Sequence, residues 1–488
     1  MTLRRASVAL AGTVSLLALA APAGAETLRE ALARAYVTNP TLEGARANQR
    51  ATDENVPISR AQGLPSVNVT ATHIEFIQQS ANAFTAPERN LGVNAQLLVP
   101  VYSGGAVRNS IAAAKERVEA GQADLRNTES AIFAQVVAAY MDVLRTEALV
   151  ALATNNVAVL RTNLEATSDR FQIGDLTITD VAQSRSRLAV AEGDLQTAEA
   201  NLITARETYI RLVGGAPGEL EAPPPLPGMP ATVGEAIVAA LEANPNLEAA
   251  KLRAEAAGFD TKVAGSGRLP TVTFFMNGDY SDFFGTLGGP ISANFAQSEK
   301  TANAGVRVTI PLFQGGLPAA RQRQAGARES VALEDVIAAE RQVIAETRAT
   351  YANWQAANAV IKSAQAAVEA AELSLEGVRA ESSIGNRTII EVLNAEQELV
   401  QARVQLVTAR RNAYVAGFNL LALMGQAEGR DLNLDTGGVL YDPQVNADRV
   451  SSKMWDWDRD PEPTPKSTTT VDIPPANGKI GPQLLPGE

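Results

Sequence analysis

The chain carries one series of landmark residues twice. Asn39-Pro40 recurs as Asn244-Pro245, 205 positions later, and Leu64-Pro65 recurs as Leu269-Pro270 at the same offset. Further landmarks recur 211 positions later: Pro100, Gly104-Gly105, Tyr140, Gly174 and Gly214 reappear as Pro311, Gly315-Gly316, Tyr351, Gly385 and Gly425. Such an ordered recurrence predicts one structural unit used twice, with six residues inserted between the two offsets.

The first 25 residues have the composition of an export signal. Arg4 and Arg5 precede an apolar run from Val8 to Ala20, and Ala23-Gly24-Ala25 has the small residues of a cleavage site. A transmembrane anchor is the alternative, but the run is short for a span of about 20 residues. We predict a signal peptide over 1–25 and a mature chain that begins at Glu26.

Charge and residue usage argue against several classes of function. The predicted signal holds two arginines and no acid, so its removal moves the formal charge from -12 to -14, which disfavours nucleic acid as a partner. There is no cysteine, and the single histidine, His73, lies in an extended segment. Thiolate metal sites, zinc hydrolysis and Ser-His-Asp catalysis therefore lose their usual components. We expect no enzyme, no metal and no cofactor, and a hydrolase using carboxylates alone is a distant third hypothesis.

Four segments alternate apolar and polar residues with a period of two, which is typical of strands with two different faces. We predict strands at about 66–76, 90–100, 270–280 and 303–312, each with a face rich in Asn, Thr or Gln. A half-buried sheet explains any one of them. Four together fit better the apolar-out, polar-in pattern of a membrane barrel.

Four strands cannot close a barrel, and an open edge in lipid leaves unpaired backbone groups that cost several kcal/mol each. The predicted barrel must therefore be shared between chains. Two copies give eight strands with an interior filled by side chains, and three give twelve, which can leave a lumen. A channel favours three.

Two proline-poor stretches after the paired glycines predict very long helices. Val107–Phe171 and Leu317–Ser382 are dominated by strong helix formers, and 65 helical residues span about 100 Å. Return helices are predicted at about 177–212 and 388–424. Neighbouring apolar stripes at Val392 and Leu393 indicate packing on both sides, as in a ring of helices. A plain helical bundle remains the alternative for the stripes alone.

These features divide the chain into a signal and two repeats with a link and a tail. The first structural repeat covers 26–222, a proline-rich linker 223–230 and the second repeat 231–429. Residues 430–488 are polar and rich in proline, so we predict a mostly disordered tail outside the core.

The two turns between long and return helices carry a family resemblance. The first reads Phe171-Gln-Ile-Gly174-Asp-Leu-Thr-Ile-Thr-Asp180-Val181, and the second runs from Ile384-Gly385 through Thr388 and Glu391 to Asn394. With the doubled order of helices and strands, over about Thr27 to Gln426, the chain resembles the TolC family of outer-membrane export channels.

The resemblance implies a mixed α+β membrane protein, mostly α. It would be a homotrimer whose 12-stranded β-barrel, four strands per chain, crosses outer-membrane lipid and continues as an α-helical coiled-coil barrel in the periplasm. The implied partners are a periplasmic adaptor and an inner-membrane ABC or proton-driven pump, docking near the turns at Gly174 and Gly385.

The resemblance also implies a gate at the periplasmic tip. Asp180 and Arg387 would supply its polar links, and Glu391 and Asn394 fall at the family's acidic constriction. Ser382 stands where well-studied members carry an aromatic link residue, and Asn394 is neutral, so a looser lock and a less negative ring are expected. For each charge taken alone, a solvated group at a helix start is the simpler explanation.

The leading hypothesis is a passive outer-membrane exit duct, gated at its periplasmic tip, for type I protein secretion and/or multidrug efflux. The alternative is a periplasmic or secreted coiled-coil structural protein, which would have no need for four strands with lipid-like faces. The sequence does not identify the cargo or the pump.

Overall fold

The computed structural model describes residues 25–79, 87–434 and 440–480. The predicted signal, apart from residue 25, lies outside them. The elements in chain order are α1 Leu28–Thr38, α2 Pro40–Asp53, α3 Asn55–Ala61, β1 Ser66–Glu75, β2 Arg89–Ser103, α4 Ala106–Gln172, α5 Ile178–Val213, α6 Val233–Ala243, α7 Pro245–Ser266, β3 Thr271–Asp282, β4 Ser298–Thr309, α8 Leu317–Ser383, α9 Ile389–Leu423 and α10 Pro443–Ser451.

The four strands form one antiparallel sheet in the order β1-β2-β3-β4. The register aligns like with like: one face carries rows such as Val67, Leu97, Met276 and Ala304, and the other carries rows such as Asn68, Gln96, Asn277 and Asn303. β4 begins five residues before its predicted start, because the pairing with β3 continues to Ser298 although Ser298 and Lys300 place polar side chains on the otherwise apolar face. A shift of register lies between Pro100 and Tyr102, where proline has no N–H to give to the ladder.

The long helices form where they are predicted, and α4 and α8 each contain 67 residues, about 100 Å at 1.5 Å per residue. In α9 the two predicted stripes face different neighbours. Val392 packs with Leu375 of α8, whereas Leu393 packs with Val157 and Leu160 of α4. α9 is thus held on both sides. No helix within the described residues combines the length and the apolar character needed to cross a membrane.

The landmark residues make the same contacts in both halves of the chain. Asn39 accepts from the start of α2 and donates to the carbonyl of Leu212 at 2.9 Å, while Asn244 caps α7 and donates to Leu423 at 2.9 Å. The Tyr140 hydroxyl donates to the carbonyl of Glu26 at 2.7 Å. Its counterpart makes the same bond in the second half, Tyr351 to Ala231 at 2.9 Å.

A glycine follows the end of each return helix, at the corner where α5 meets the end of α1 and α9 meets the end of α6. Gly425 has a φ of 68°, and a Cβ there would lie 2.2 Å from the carbonyl oxygen of Ala243. Gly214 has a φ of 76°, and its Cβ would lie 2.9 Å from the Thr38 hydroxyl. Both positions exclude other residues by backbone conformation and by close approach.

The halves differ in one helix. The first half divides into α2 and α3 at Glu54, whereas the second has the continuous α7. Pro57 explains the break, because it has no N–H for the carbonyl of Asp53 and its ring clashes there. Lys262, 205 positions later, has no such effect.

The largest core cluster lies where α1, the middle of α4 and the ends of α5 and α9 meet. Phe133, Tyr140, Tyr209 and Phe418 are at most 2% exposed there. The seam between α8 and α9 is narrower and rich in alanine, with Ala371, Ala395 and Ala402 buried in it. The wide core holds α1 and the start of α2 against the rod, which is the bundle of the long helices α4, α5, α8 and α9.

The tail differs from the prediction over 440–480. α10 packs on α2 and α3, where Asn446 donates to the buried carboxylate of Asp53 at 2.6 Å. Further on, the Arg206 guanidinium donates to the carbonyls of Asn477 and Lys479 at 2.7 and 3.0 Å. The buried Asp53 carboxylate and the partly buried Arg206 guanidinium thus bind a segment whose composition indicates disorder. Trp455 and Trp457 remain about three-quarters exposed, at 75% and 74%.

Candidate functional site

The two tip turns have the same backbone. Gly174 and Gly385 have φ of 85° and 82°, and each donates its N–H to the carbonyl three residues earlier, at 3.0 Å from Phe171 and 3.1 Å from Ser382. A Cβ at either glycine would meet nothing within 4 Å. Left-handed backbone alone therefore selects glycine. Both turns lie about 100 Å of helix away from the sheet.

The predicted gate acids Asp180 and Glu391 are equivalent residues that cap their own helices. Thr177 and Asp180 form a capping box, with the Thr177 N–H 3.0 Å from Asp180 Oδ2. Thr388 and Glu391 form the second, with the corresponding bond at 2.8 Å. Orphan N–H groups at the two helix starts bind these carboxylates. The Ser/Thr-x-x-Asp/Glu spacing was the sequence signal for this role.

Capping also fixes the charge of these groups. The pKa of Asp180 is lowered by bonds from the Thr177 hydroxyl and backbone. The pKa of Glu391 is lowered to about 2, first by the Thr388 N–H and then by the Arg387 guanidinium. Both carboxylates are therefore ionised at neutral pH.

Arg387 does not pair with Asp180 within the chain. Its guanidinium donates to Glu381 at 2.6 Å and to Glu391 at 2.7 Å, both on its own hairpin. These two carboxylates raise the pKa of Arg387 above its ordinary value. Within one chain Arg387 makes these local pairs because Glu391 and Glu381 lie only four and six residues from it.

Asn394, by contrast, joins the two hairpins. Its side-chain oxygen accepts from Arg187 of α5 at 2.9 Å, and Arg187 also donates to Gln397. A cavity of about 670 Å³, lined by α4, α5 and α9, separates the hairpins beside this contact. Arg187 therefore bridges α5 and α9 beside this cavity.

A second bridge, missed by the sequence reasoning, centres on Glu396. Its carboxylate is 4% exposed and accepts from Asn163 of α4 at 3.0 and 2.9 Å and from Arg379 of α8 at 2.9 Å. Glu396 stands in the apolar stripe of α9, four residues after Val392 and three before Leu399. A carboxylate at such a position was the available signal, since buried charges need partners.

At the other end of the rod, the sheet presents its apolar face unburied. Val67, Val69, Val306 and Val308 are each more than half exposed, and Met276 is 49% exposed. The opposite face is polar, with Asn94 donating to Asp279 at 2.6 Å and Asn277 to Asn303 at 3.1 Å. Among the described residues no further strand covers the outer edge of β1 or β4.

The described ranges also hold no group of three acidic or histidine side chains placed to bind a metal ion.

A sheet with an apolar and a polar face, joined to paired helical hairpins about 100 Å long, defines the class of outer-membrane channel proteins with a helical extension. The family described as "Outer membrane efflux protein" matches residues 31–215 and 236–426, one match in each half. The chain belongs to this family, the TolC family of the resemblance stated above. It is a transport protein of the outer membrane with its helical part in the periplasm, and not an enzyme.

Individual relatives agree with this assignment. The outer membrane efflux protein BepC of Brucella suis biovar 1 is 31% identical over 92% of this chain and 95% of its own length. The outer membrane protein TolC of Vibrio cholerae is 26% identical over 84% of this chain and 92% of its own.

Solved structures share the fold. The CmeC outer membrane channel of Campylobacter jejuni has a TM-score of 0.73 at 14% identity, over 93% of this chain and 97% of that one. VceC of Vibrio cholerae has a TM-score of 0.69 at 22% identity, over 82% and 96%.

Proposed function

We propose that three copies of this chain form a passive exit duct through the outer membrane, gated at its periplasmic tip and joined there to a periplasmic adaptor and an inner-membrane pump. The observation that carries the proposal is the sheet. Its two faces differ in polarity over most of its rows, and its two outer strands have open edges. In lipid those edges need partners, and further copies of the same sheet supply them.

Three copies are favoured over two by the size of the interior. Eight strands enclose a space that side chains fill, whereas twelve can leave a lumen lined by the polar rows. The paired hairpins of three chains would continue that lumen through the periplasm. Membership of the outer membrane efflux protein family disfavours the alternative of a coiled-coil structural protein. A structural rod of that kind would also not need a sheet with an exposed apolar face.

Cargo is not a property of the duct in this proposal. Relatives that match the chain are named for secretion of alkaline protease, for resistance to cobalt, zinc and cadmium, and for resistance to fusaric acid. Because one architecture accompanies such different names, we assign selection of cargo and supply of energy to the pump. Type I protein secretion and efflux of small molecules both remain within the proposal.

The absence of cysteine permits a direct test of the shared barrel. Cysteine at Asn68 of β1, combined in turn with cysteine at Glu299, Thr301 or Asn303 of β4, samples the polar face at both open edges. We expect one pairing to give disulfide-linked species up to a covalent trimer in native outer membranes. A ladder that ends at the dimer contradicts the threefold barrel, and a monomer in every pairing contradicts sharing altogether.

The matched control combines Asn68→Cys with Asn277→Cys. These residues share a row but are separated by β2, about 10 Å apart at normal strand spacing, which exceeds the roughly 7 Å that a disulfide can bridge. Crosslinking in the control would mean that the disulfides report collisions rather than strand pairing.

For the gate, we propose that Arg187 with Asn394 and Glu396 with its partners hold the two hairpins of each chain together at the tip. Asp180 and Arg387 are proposed to face the neighbouring copy, and three copies of Glu391 to line the constriction. Capping supports this last role, because it fixes each carboxylate at the helix start. The turns at Gly174 and Gly385 remain the proposed docking end for the adaptor.

Arg187→Ala tests the gate. It removes the bridge across the cavity, and we expect a several-fold rise in single-channel conductance in planar bilayers. Arg161→Ala is the control, since Arg161 pairs with Glu192 inside one hairpin. Equal conductance of the two variants would show that the Arg187 bridge is not part of the gate.

Asp180→Ala and Arg387→Ala are also expected to raise the single-channel conductance. Unchanged conductance in both variants would exclude a role of these residues between copies.

A further inference from the structure

Charge is sparse on the polar face of the sheet. Within the four strands this face carries three charged side chains: Asp279, Glu299 and Arg307. The two acids stand toward the loop that joins β3 to β4. Arg307 stands opposite Thr273, six residues along β4 from Thr301, the partner of Asp279. At about 3.4 Å per residue, some 20 Å of strand separates the cation from the acid nearest to it along this face.

Arg307 is held by a ring rather than by a carboxylate. Its guanidinium carbon lies 5.1 Å from the centroid of the Phe275 ring. Within the part of the chain that the structure describes, no acidic group forms an ion pair with it. The side chain is exposed. A cation on an aromatic face keeps its charge and most of its N–H groups available.

Gly305 explains why the ring lies where it does. Gly305 pairs with Phe275 in the ladder, and a Cβ at Gly305 would lie 3.0 Å from the tip of that ring. The missing side chain lets the Phe275 ring lie over Gly305 of β4. Gly305 thus positions Phe275, and Phe275 supports Arg307. The arrangement is a built platform with an unneutralised cation at its end.

We propose that Arg307 forms an anion-binding site in the duct: three copies make a cationic collar at the periplasmic end of the barrel that binds anionic solutes, whichever cargo the pump selects. This inference rests on the proposed function, because three chains must close the barrel before the polar face becomes a lumen. The collar lies where the helical tunnel opens into the barrel, and the Asp279 and Glu299 groups lie nearer the outside. An anion leaving the tunnel therefore meets the collar first.

The probe is naphthalenetrisulfonate, a small trivalent anion, added to the barrel side of single channels in planar bilayers. From that side it reaches Arg307 without passing the tip. We expect it to block the wild-type current, and Arg307→Gln to weaken the block on the order of tenfold, since three positive charges are lost near one trivalent anion. The same block in Arg307→Gln as in wild type overturns the proposal.

Lys300→Gln is the matched control. Lys300 lies on the same strand and loses the same charge, but it occupies the apolar face, with its ammonium 5.6 Å from the Tyr280 ring. We expect its block to equal that of the wild type. Equal weakening in both variants would mean that overall charge, and not a lumen residue, controls the block.

Rescue gives a second, independent measurement in a chain without cysteine. Arg307→Cys should lose the block, and a cationic methanethiosulfonate reagent should restore it, whereas a neutral reagent of similar size should not. Failure of the cationic reagent to restore block overturns the collar. If no channel forms in any variant or in the wild type, the proposed function fails, while channels without Arg307-dependent block refute this inference alone.

Discussion

At the tip, the hydrogen bonds by which Asp180 and Glu391 cap their helices also keep the two carboxylates ionised. Asp180 and Glu391 occupy equivalent third positions of α5 and α9, and each accepts from the threonine that begins its helix. The bond that orients the carboxylate also lowers its pKa, because backbone N–H groups stabilise the ionised form. A capping acid is therefore a suitable member of a charged constriction. Its direction is fixed by the helix and its charge persists at low pH.

Glu391 should lose its charge at a higher pH when Arg387 is removed. The pKa of about 2 lies below the ordinary 4.5, so the interaction with Arg387 is complete above about pH 4.5 and is lost as the pH falls toward 2. Arg387→Gln removes the second largest cause and should raise the pKa of Glu391, although the Thr388 N–H remains. Block by hexaamminecobalt from the tip side should then disappear at higher pH than in the wild type.

Arg170→Gln is the control for this titration, since Arg170 pairs with Asp175 in the other hairpin at 2.8 Å. Its midpoint should equal that of the wild type. Coincident midpoints for Arg387→Gln and the wild type would show that Glu391 does not control cation block.

At the scale of elements, each half is held by a corner in which a short helix meets the end of a return helix. Asn39 and Asn244 cap α2 and α7 and donate across to α5 and α9, while Gly214 and Gly425 permit the close approach. The two asparagine side chains are buried, so their amide groups have few alternative partners. The corner explains why these landmarks recur in the sequence.

Asn39→Ala removes the cap of α2 and leaves the carbonyl of Leu212 without that donor. Loss of the cap and of a buried hydrogen bond together should destabilise the protein by about 2 kcal/mol. We expect a lower Tm of the detergent-solubilised protein, with a similar loss for Asn244→Ala. Asn48→Ala, on an exposed position of α2, should leave the Tm unchanged, and equal Tm values for all three variants would contradict the corner's role.

At the scale of the whole molecule, the sheet and the rod distribute their apolar residues differently. The sheet has one apolar and one polar face, whereas the rod has a wide apolar core near its middle and a narrower, alanine-rich seam between α8 and α9. The tail adds a third contact layer, since α10 and residues 476–480 bind the rod through Asn446 and Arg206. The single chain leaves the sheet unfinished, and it also leaves apolar side chains of α8 such as Val331 and Leu333 more than half exposed. Insertion of folded protein into the outer membrane is therefore expected to depend on the apolar face of the sheet.

Met276 and Asn277 allow a test of that face with adjacent residues. Arginine at position 276 would place a charge on the lipid face at mid-strand, at a cost of about 2–4 kcal/mol in a barrel. Met276→Arg should sharply reduce folded protein in the outer membrane, measured by heat-modifiable migration. Asn277→Arg, on the polar face, should insert normally, and the reverse ranking would exchange the two faces.

Period-two alternation, helix-forming composition and recurring landmarks determined by themselves the four strands, the long helices and the tip turns. Such features depend on a residue and its near neighbours, and the strand boundaries fall within a few residues of prediction except at the start of β4. The capping boxes were equally local, and their spacing was present in the sequence.

Tertiary structure alone decided which side chains meet across elements. Arg187 reaches Asn394 and Gln397 over about two hundred residues of chain, and Arg307 rests on Phe275 because the register places Gly305 opposite that ring. The tail's docking likewise depends on the buried Asp53 and the partly buried Arg206, whose positions come from distant packing. Sequence spacing gives the face of an element, whereas the identity of its partner is fixed only when the elements are packed together.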